Sequence, residues 1–259
     1  MTENSESRLS SPAHFKGKDA LSHVAEAQAD GLYSAAEIHG TEAPGHITAG
    51  ADSARETAIA LLFLWFILHQ LNIPPQKVGY SLAIFSFGWV VWKTGRSIWL
   101  AWSRLERLHR IVAQEKYEID HHRKQEREEL KELYASKGFE GRLLEEVLDV
   151  LMADDERLLR VMVEEELGLT LATDVHPLKQ GLGAFLGTLG ALVGCAIGYY
   201  INPSIGLFFG SMAVLGIGSG ILAYHSQNKI ISAIVWNIGI GLLAFSIVYF
   251  LFMYPFISG

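Results

Sequence analysis

Four glutamates, Glu115, Glu118, Glu126 and Glu129, form two ExxE pairs in a stretch whose pattern predicts a helix. At about 100° per residue they project into an arc of roughly 80°. Like charges three and four apart destabilise a helix by about 0.2–0.5 kcal/mol per pair, so the stripe calls for lysines, another helix or a metal ion as counter-charge. His122 falls in the same arc, four residues from both Glu118 and Glu126, whereas Lys116, Arg123, Lys124, Arg127 and Lys131 fall largely on the other side. Positions where a stabilising cation would follow a glutamate hold Ile119, His122 and Leu133 instead, so neutralisation along the helix is weak. Further on, Met162 and Glu166 stand at i, i+4 with Glu165 between them, on a face able to close onto the stripe. Carboxylates suit hard and borderline divalent ions, a thioether favours softer metals over Ca²⁺ and Mg²⁺, and imidazole suits Fe²⁺ and Zn²⁺. The mixed set points to a first-row transition metal. The competing reading is a solvated, coiled-coil-like face with Met162 as core filling.

The elements that must position these residues are helices, and most are membrane-grade. Five apolar segments occupy residues 57–73, 79–102, 184–201, 204–224 and 231–256. The first is short for a span and is expected to end at Pro74-Pro75; the second is interrupted by Lys93 and Arg96; the last three are nearly free of charge and long enough to cross ~30 Å of hydrocarbon. Gly183, Gly187, Gly190, Gly194 and Gly198, then Gly206, Gly210, Gly216 and Gly220, recur every three to four residues, which suits close packing in a bundle or across a dimer. The charged stretch 103–180 predicts three helices: one running from the second apolar segment to about Lys137 and stopped at Gly138, one over GRLLEEVLDVLMA, and one after Asp154 as N-cap that ends at Gly168. No breaker separates the second span from the first of these, so the two read as one rod. Residues 1–55 read as a flexible cytosolic arm; its His14, His23, His39 and His46 lack ligand spacing and read as solvated.

Composition agrees with this division. Half of the 259 residues are hydrophobic while 19% are charged, so apolar and charged blocks must be segregated. A net charge of −7 argues against a nucleic-acid partner. The single cysteine, Cys195, lies in an apolar run, which excludes disulfides and zinc ribbons and makes it a packing residue. Loop charge places the N-terminus and the charged stretch in the cytosol. No secretory signal opens the chain, and a multi-pass protein of the bacterial inner membrane is the default reading. No nucleophile with a base, phosphate loop or dinucleotide fingerprint marks an enzyme.

The segments EREELKELYASKGF, LMADDERLLRVMVEEELGL and HPLKQGLGAFLGTLGALVG resemble the vacuolar iron transporter family, including its bacterial members, with similarity over about residues 56–256. The resemblance implies an all-α membrane protein: five transmembrane helices, residues 56–102 carrying the first two and 181–259 the last three, with a cytosolic three-helix metal-binding domain (103–180) inserted between spans 2 and 3. It further implies a homodimer in lipid that exchanges cytosolic Fe²⁺ or Mn²⁺, with Zn²⁺ a further candidate, for protons. Glu115, Glu118, Glu126 and Glu129 match the family's ExxE pairs without a gap, and Met162 and Glu166 match its third-helix ligands. A further family glutamate is Val163 here, with Glu165 the nearest substitute. In the membrane, Glu56-Thr57 is the best match to the family's first-span aspartate motif, with Asp52 as an alternative, and Lys93 lies where the family's second span carries a methionine.

Lys93 has two readings. It pairs with Glu56 across the first two spans, the two forming part of the transport path, or it snorkels with Arg96 to the cytosolic interface near Trp92, Trp99 and Trp102. A cation at that depth repels a divalent ion unless it is paired. The expected function is export of cytosolic metal by proton exchange; the alternative is a membrane-anchored metal sensor or buffer without transport activity.

Overall fold

The computed structural model describes residues 43–166 and 176–257, and every regular element among them is helical. The expected arm up to residue 42, the predicted helix end at Gly168 and the linker 167–175 lie outside the described residues. The helices are α1 (Gly45–Gln70), α2 (Pro75–His121), α3 (Arg123–Ser136), α4 (Gly141–Met152), α5 (Asp155–Val161), α6 (Pro177–Ile201), α7 (Gly206–His225) and α8 (Ile230–Ile257), with one π-helical turn, Met162–Glu166, after α5. Of these, α6, α7 and α8 are long and apolar enough to cross a membrane.

The first helix starts earlier than its apolar run. Residues 45–55, expected to belong to the arm, continue the helix, and Ala49, Ala51 and Ser53 are buried in it. Periodic small residues, rather than hydrophobicity, put them there. Its end also differs from expectation: α1 stops at Gln70, where Asn72 takes a left-handed φ of 55° and the N–H of Ile73 reaches back to the carbonyl of Leu68. Pro75 instead occupies the first turn of α2, where its missing N–H costs nothing.

Helix α1 packs mainly against α6 and α7, while α2 packs against α6. Leu61, Leu62, Trp65 and Phe66 of α1 meet Val78 and Leu82 of α2, Ala191 and Cys195 of α6, and Leu207 and Val214 of α7 in one core. Cys195 is buried beside Ser211, as a packing residue should be. Glycine makes the approach possible: a Cβ on Gly183 would strike the backbone carbonyl of His46, and one on Gly187 that of Gly50. Gly198 and Gly206 oppose each other in the same way between α6 and α7, whereas Gly190 faces open space.

The charged stretch folds as short helices around a second core of Ile119, Leu130, Leu144, Leu148, Leu158 and Met162. Two sequence signals act here as expected. At the end of α3, Gly138 adopts φ 92°, its N–H bonds to the carbonyl of Ala135, that of Phe139 bonds to Tyr134, and the Tyr134 and Phe139 rings pack at 5.6 Å, a complete Schellman stop. The carboxylate of Asp154 accepts the N–H of Arg157 at 2.8 Å and caps α5.

Candidate metal centre

The rod foreseen from the second apolar segment to Lys137 exists only in part. Helix α2 runs for 47 residues, about 70 Å at 1.5 Å per residue, and then breaks at His122 (φ −124°, ψ 29°). The His122 N–H still closes the last turn of α2 on Glu118, while its carbonyl receives the first N–H groups of α3 from Gln125 and Glu126. Neither proline nor glycine marks the break. The consequence is large: on an unbroken helix Glu115 and Glu126 would be separated by about 16 Å along the axis. Instead, ligand oxygens of Glu115, Glu118 and Glu126 all lie within 4.8 Å of one another.

Glu115 and Glu126 are buried and Glu118 is half-buried, with the side-chain amide of Gln114 donating to Glu118 at 3.0 Å. Glu126 sits in the first turn of α3, where the unpaired N–H groups of a helix start favour negative charge. The cations on the opposite side of α3 are held by other helices. Arg123 binds Asp155 and the carbonyl of Met152, both at 2.6 Å; Arg127 binds Glu145 at 2.8 Å and Asp149 at 3.0 Å; Lys131 binds Glu145 at 2.8 Å. Hydrogen bonds from Lys131 and then Arg127 hold the Glu145 carboxyl below the usual carboxylate range, and those same carboxylates of α4, Glu145 first, raise Arg127. These three cations of α3 thus pair with carboxylates of α4 and α5.

The remaining predicted site residues are placed as follows. Glu129 and His122 are exposed and stand outside the group of three carboxylates. Met162 is fully buried in the small core beside the elements that carry the glutamates, and Val163 is buried next to it. Glu165 is held by Lys137 and by the hydroxyl of Tyr134, whose own pKa burial pushes up. Glu166 closes the π-helical turn, a backbone form frequent at functional sites, and its side chain lies outside the described part.

In the apolar half, Lys93 turns inward: its side chain is 4% exposed and its Nζ lies 2.5 Å from Glu56 Oε2. The snorkelling reading fails for Lys93, although Arg96 and the three tryptophans Trp92, Trp99 and Trp102 do face outward. One turn away, Trp89 Nε1 donates to Thr57 Oγ1 at 2.9 Å, tying the same two helices. Asp52 pairs with Arg55, which also donates to Asn237 of α8 at 3.1 Å. That last contact escaped the sequence reading; a lone Asn in an otherwise apolar segment was its signal.

A model of the VIT family matches residues 100–252, more than half of the chain, spanning the three carboxylates, the core of the charged stretch and most of the last three helices. The chain belongs to the VIT family. No curated protein and no solved structure gives a match. VIT family membership makes the chain a membrane protein of metal transport, iron being the family's type metal, and its members are transporters rather than enzymes. The acidic group on α2 and α3 falls inside the matched region.

Proposed function

We propose that this protein exports a divalent transition metal, Fe²⁺ or Mn²⁺, from the cytosol by proton exchange. The observation that carries the reading is the convergence of Glu115, Glu118 and Glu126 at the end of the same helix that bears Lys93. Hard and borderline divalent ions are bound by such carboxylates, and a cation offsets their mutual repulsion. In this reading α1 and the first half of α2 are the first two of five spans. The burial of α1 between α6 and α7 supports that arrangement, since a helix packed among membrane-grade helices shares their layer. Helices α3 to α5 then form the cytosolic domain inserted between spans 2 and 3. Glu56 is the carboxylate of the path, and the outward apolar side chains of α2, Phe87 and Val91 among them, suit lipid or a second copy in a homodimer.

One observation favours a second reading, a metal sensor or buffer without transport: the Glu56 carboxylate is already matched by Lys93. Metal flux into proteoliposomes under a pH gradient separates the two. Export predicts flux in the wild type that is lost in a Glu115/Glu118/Glu126/Glu129→Gln variant. Equal, near-zero flux in both, with metal binding lost only in the variant, establishes the sensor. If neither binds Fe²⁺, Mn²⁺ or Zn²⁺, both readings fail.

A further inference from the structure

Lys93 is an unusual tenant of its position. A lysine on a helix bordered by lipid-facing side chains lowers its cost by stretching toward water, as long stems allow. Here the stem points into the protein, the side chain is 4% exposed, and its one acidic partner among the described residues is Glu56. The partner is dissimilar: the Glu56 side chain remains 52% exposed. The carboxylate is therefore reachable from outside the pair, while the ammonium is sealed behind it. Trp89, four residues before Lys93 and bonded to Thr57, fixes this register of α1 against α2.

We propose that Lys93 is a specificity-determining residue, a tethered cation that occupies Glu56 and competes with divalent metal for it. The inference rests on the transport reading for its physiological meaning. The chemistry stands alone: a carboxylate neutralised by an ammonium at contact distance attracts a second cation far less than a bare one, and two like charges at such separations repel strongly in a low-dielectric setting. A metal ion reaches Glu56 only by displacing the ammonium, so weakly held cations are refused. A purely structural clasp between α1 and α2 would have the same geometry but would conceal no metal site.

The test uses the full chain in detergent with Glu115, Glu118 and Glu126 all changed to Gln, so that the cytosolic group contributes nothing, and reads Mn²⁺ bound per chain by equilibrium dialysis. Adding Lys93→Leu, which removes the charge without supplying a ligand, is expected to raise Mn²⁺ affinity by at least about tenfold and to add one site per chain. Glu56→Gln on top of it abolishes that site, and Lys93→Arg in its place never creates it. Lys93→Gln repeats the measurement with a polar side chain of similar length should the Leu variant fold poorly. No gain of Mn²⁺ in the folded neutral variant, or a gain that survives Glu56→Gln, overturns the proposal. Because binding is read without the acidic group and without flux, a chain that moves no metal defeats the transport reading and leaves this result decided on its own.

Discussion

The two halves of this molecule solve opposite problems with charge. In the apolar half charge is scarce, and two close ion pairs among the described residues are internal to it: Lys93 with Glu56, and Arg55 with Asp52. Packing is set by absence of side chain, with α1 and α6 meeting backbone to backbone at Gly50, Gly183 and Gly187. In the charged half ions are plentiful, yet they are sorted rather than evenly mixed. Arg123, Arg127 and Lys131 are drawn to α4 and α5, and three carboxylates are gathered on the other side where α2 breaks into α3. The difference is that charge in the apolar half is matched pair by pair, whereas in the charged half the cations of α3 reach toward α4 and α5 and the three carboxylates converge elsewhere.

The comparison is tested hardest at the glycine contact. Gly187→Val must push α1 from α6, because the atom it would strike is the backbone carbonyl of Gly50, which no rotamer change can move. Overpacking costs about 1–3 kcal/mol even where side chains can yield, so a loss at or beyond the upper end is expected, read as a fall in the unfolding midpoint and loss of monodispersity in detergent. Gly190→Val, with open space around it, should leave both unchanged. Equal damage from the two would mean that backbone contact is not what holds α1.

In the charged half the matching test sets Glu126 against Glu129. Glu126→Gln removes a buried member of the converged group and should weaken Mn²⁺ or Fe²⁺ binding at least tenfold, about 1.4 kcal/mol. Glu129→Gln, on an exposed carboxylate outside that group, should change it much less. Titration of the purified chain reads both, and equal losses would show that the four glutamates act as one stripe after all.

How far the sequence revealed this site depends on which physical signal each feature leaves. Capping is local, so Asp154 and Gly138 announced the start of α5 and the end of α3 correctly. Long apolar runs are equally plain, and α6, α7 and α8 fell where hydropathy put them. The family was legible from the segments after Glu126, which carry both turn chemistry and span. The break at His122 left no such trace. Good helix formers flank it, so local propensity favours continuing, and the bend is set by burial of Ile119, Leu130 and Met162 in a shared core. A shared helical arc suggests that all four glutamates lie together; in the structure Glu115, Glu118 and Glu126 approach one another where α2 breaks into α3, and Glu129 stands outside. The early start of α1 was missed because glycine, alanine and serine look like an arm until a second helix is available to pack against them.

A smaller effect is expected from the N-cap of α5. Asp154→Ala removes the acceptor of the Arg157 N–H, which typically costs about 1 kcal/mol, and should speed amide exchange in α5 while leaving α6 to α8 unaffected. Exchange that rises equally in the apolar helices would imply that the two cores unfold as one.

The mildest prediction concerns pH and tests whether occupied cations matter to the group they avoid. The Glu145 carboxyl titrates below its usual range because Lys131 and Arg127 stabilise its charged form. A group whose folded pKa is depressed adds stability above its unfolded value, and that contribution disappears as pH falls through the folded one. The pairing of α3 with α4 should therefore be intact near neutrality and weaken below the ordinary carboxylate range. Glu145 is solvent-exposed, so the stability change itself should be slight. Its wider consequence follows from where the cations go. Glu145→Gln at neutral pH leaves Lys131 without its carboxylate and Arg127 with Asp149 alone, so both become freer to neutralise the glutamates nearby. Metal affinity measured at low ionic strength should then fall modestly, and added salt should shrink the difference between variant and wild type, because exposed charges are screened over about 10 Å at 0.1 M. Unchanged affinity at low salt would mean that the sorting of charge on α3 serves packing against α4 and has no part in maintaining the acidic group.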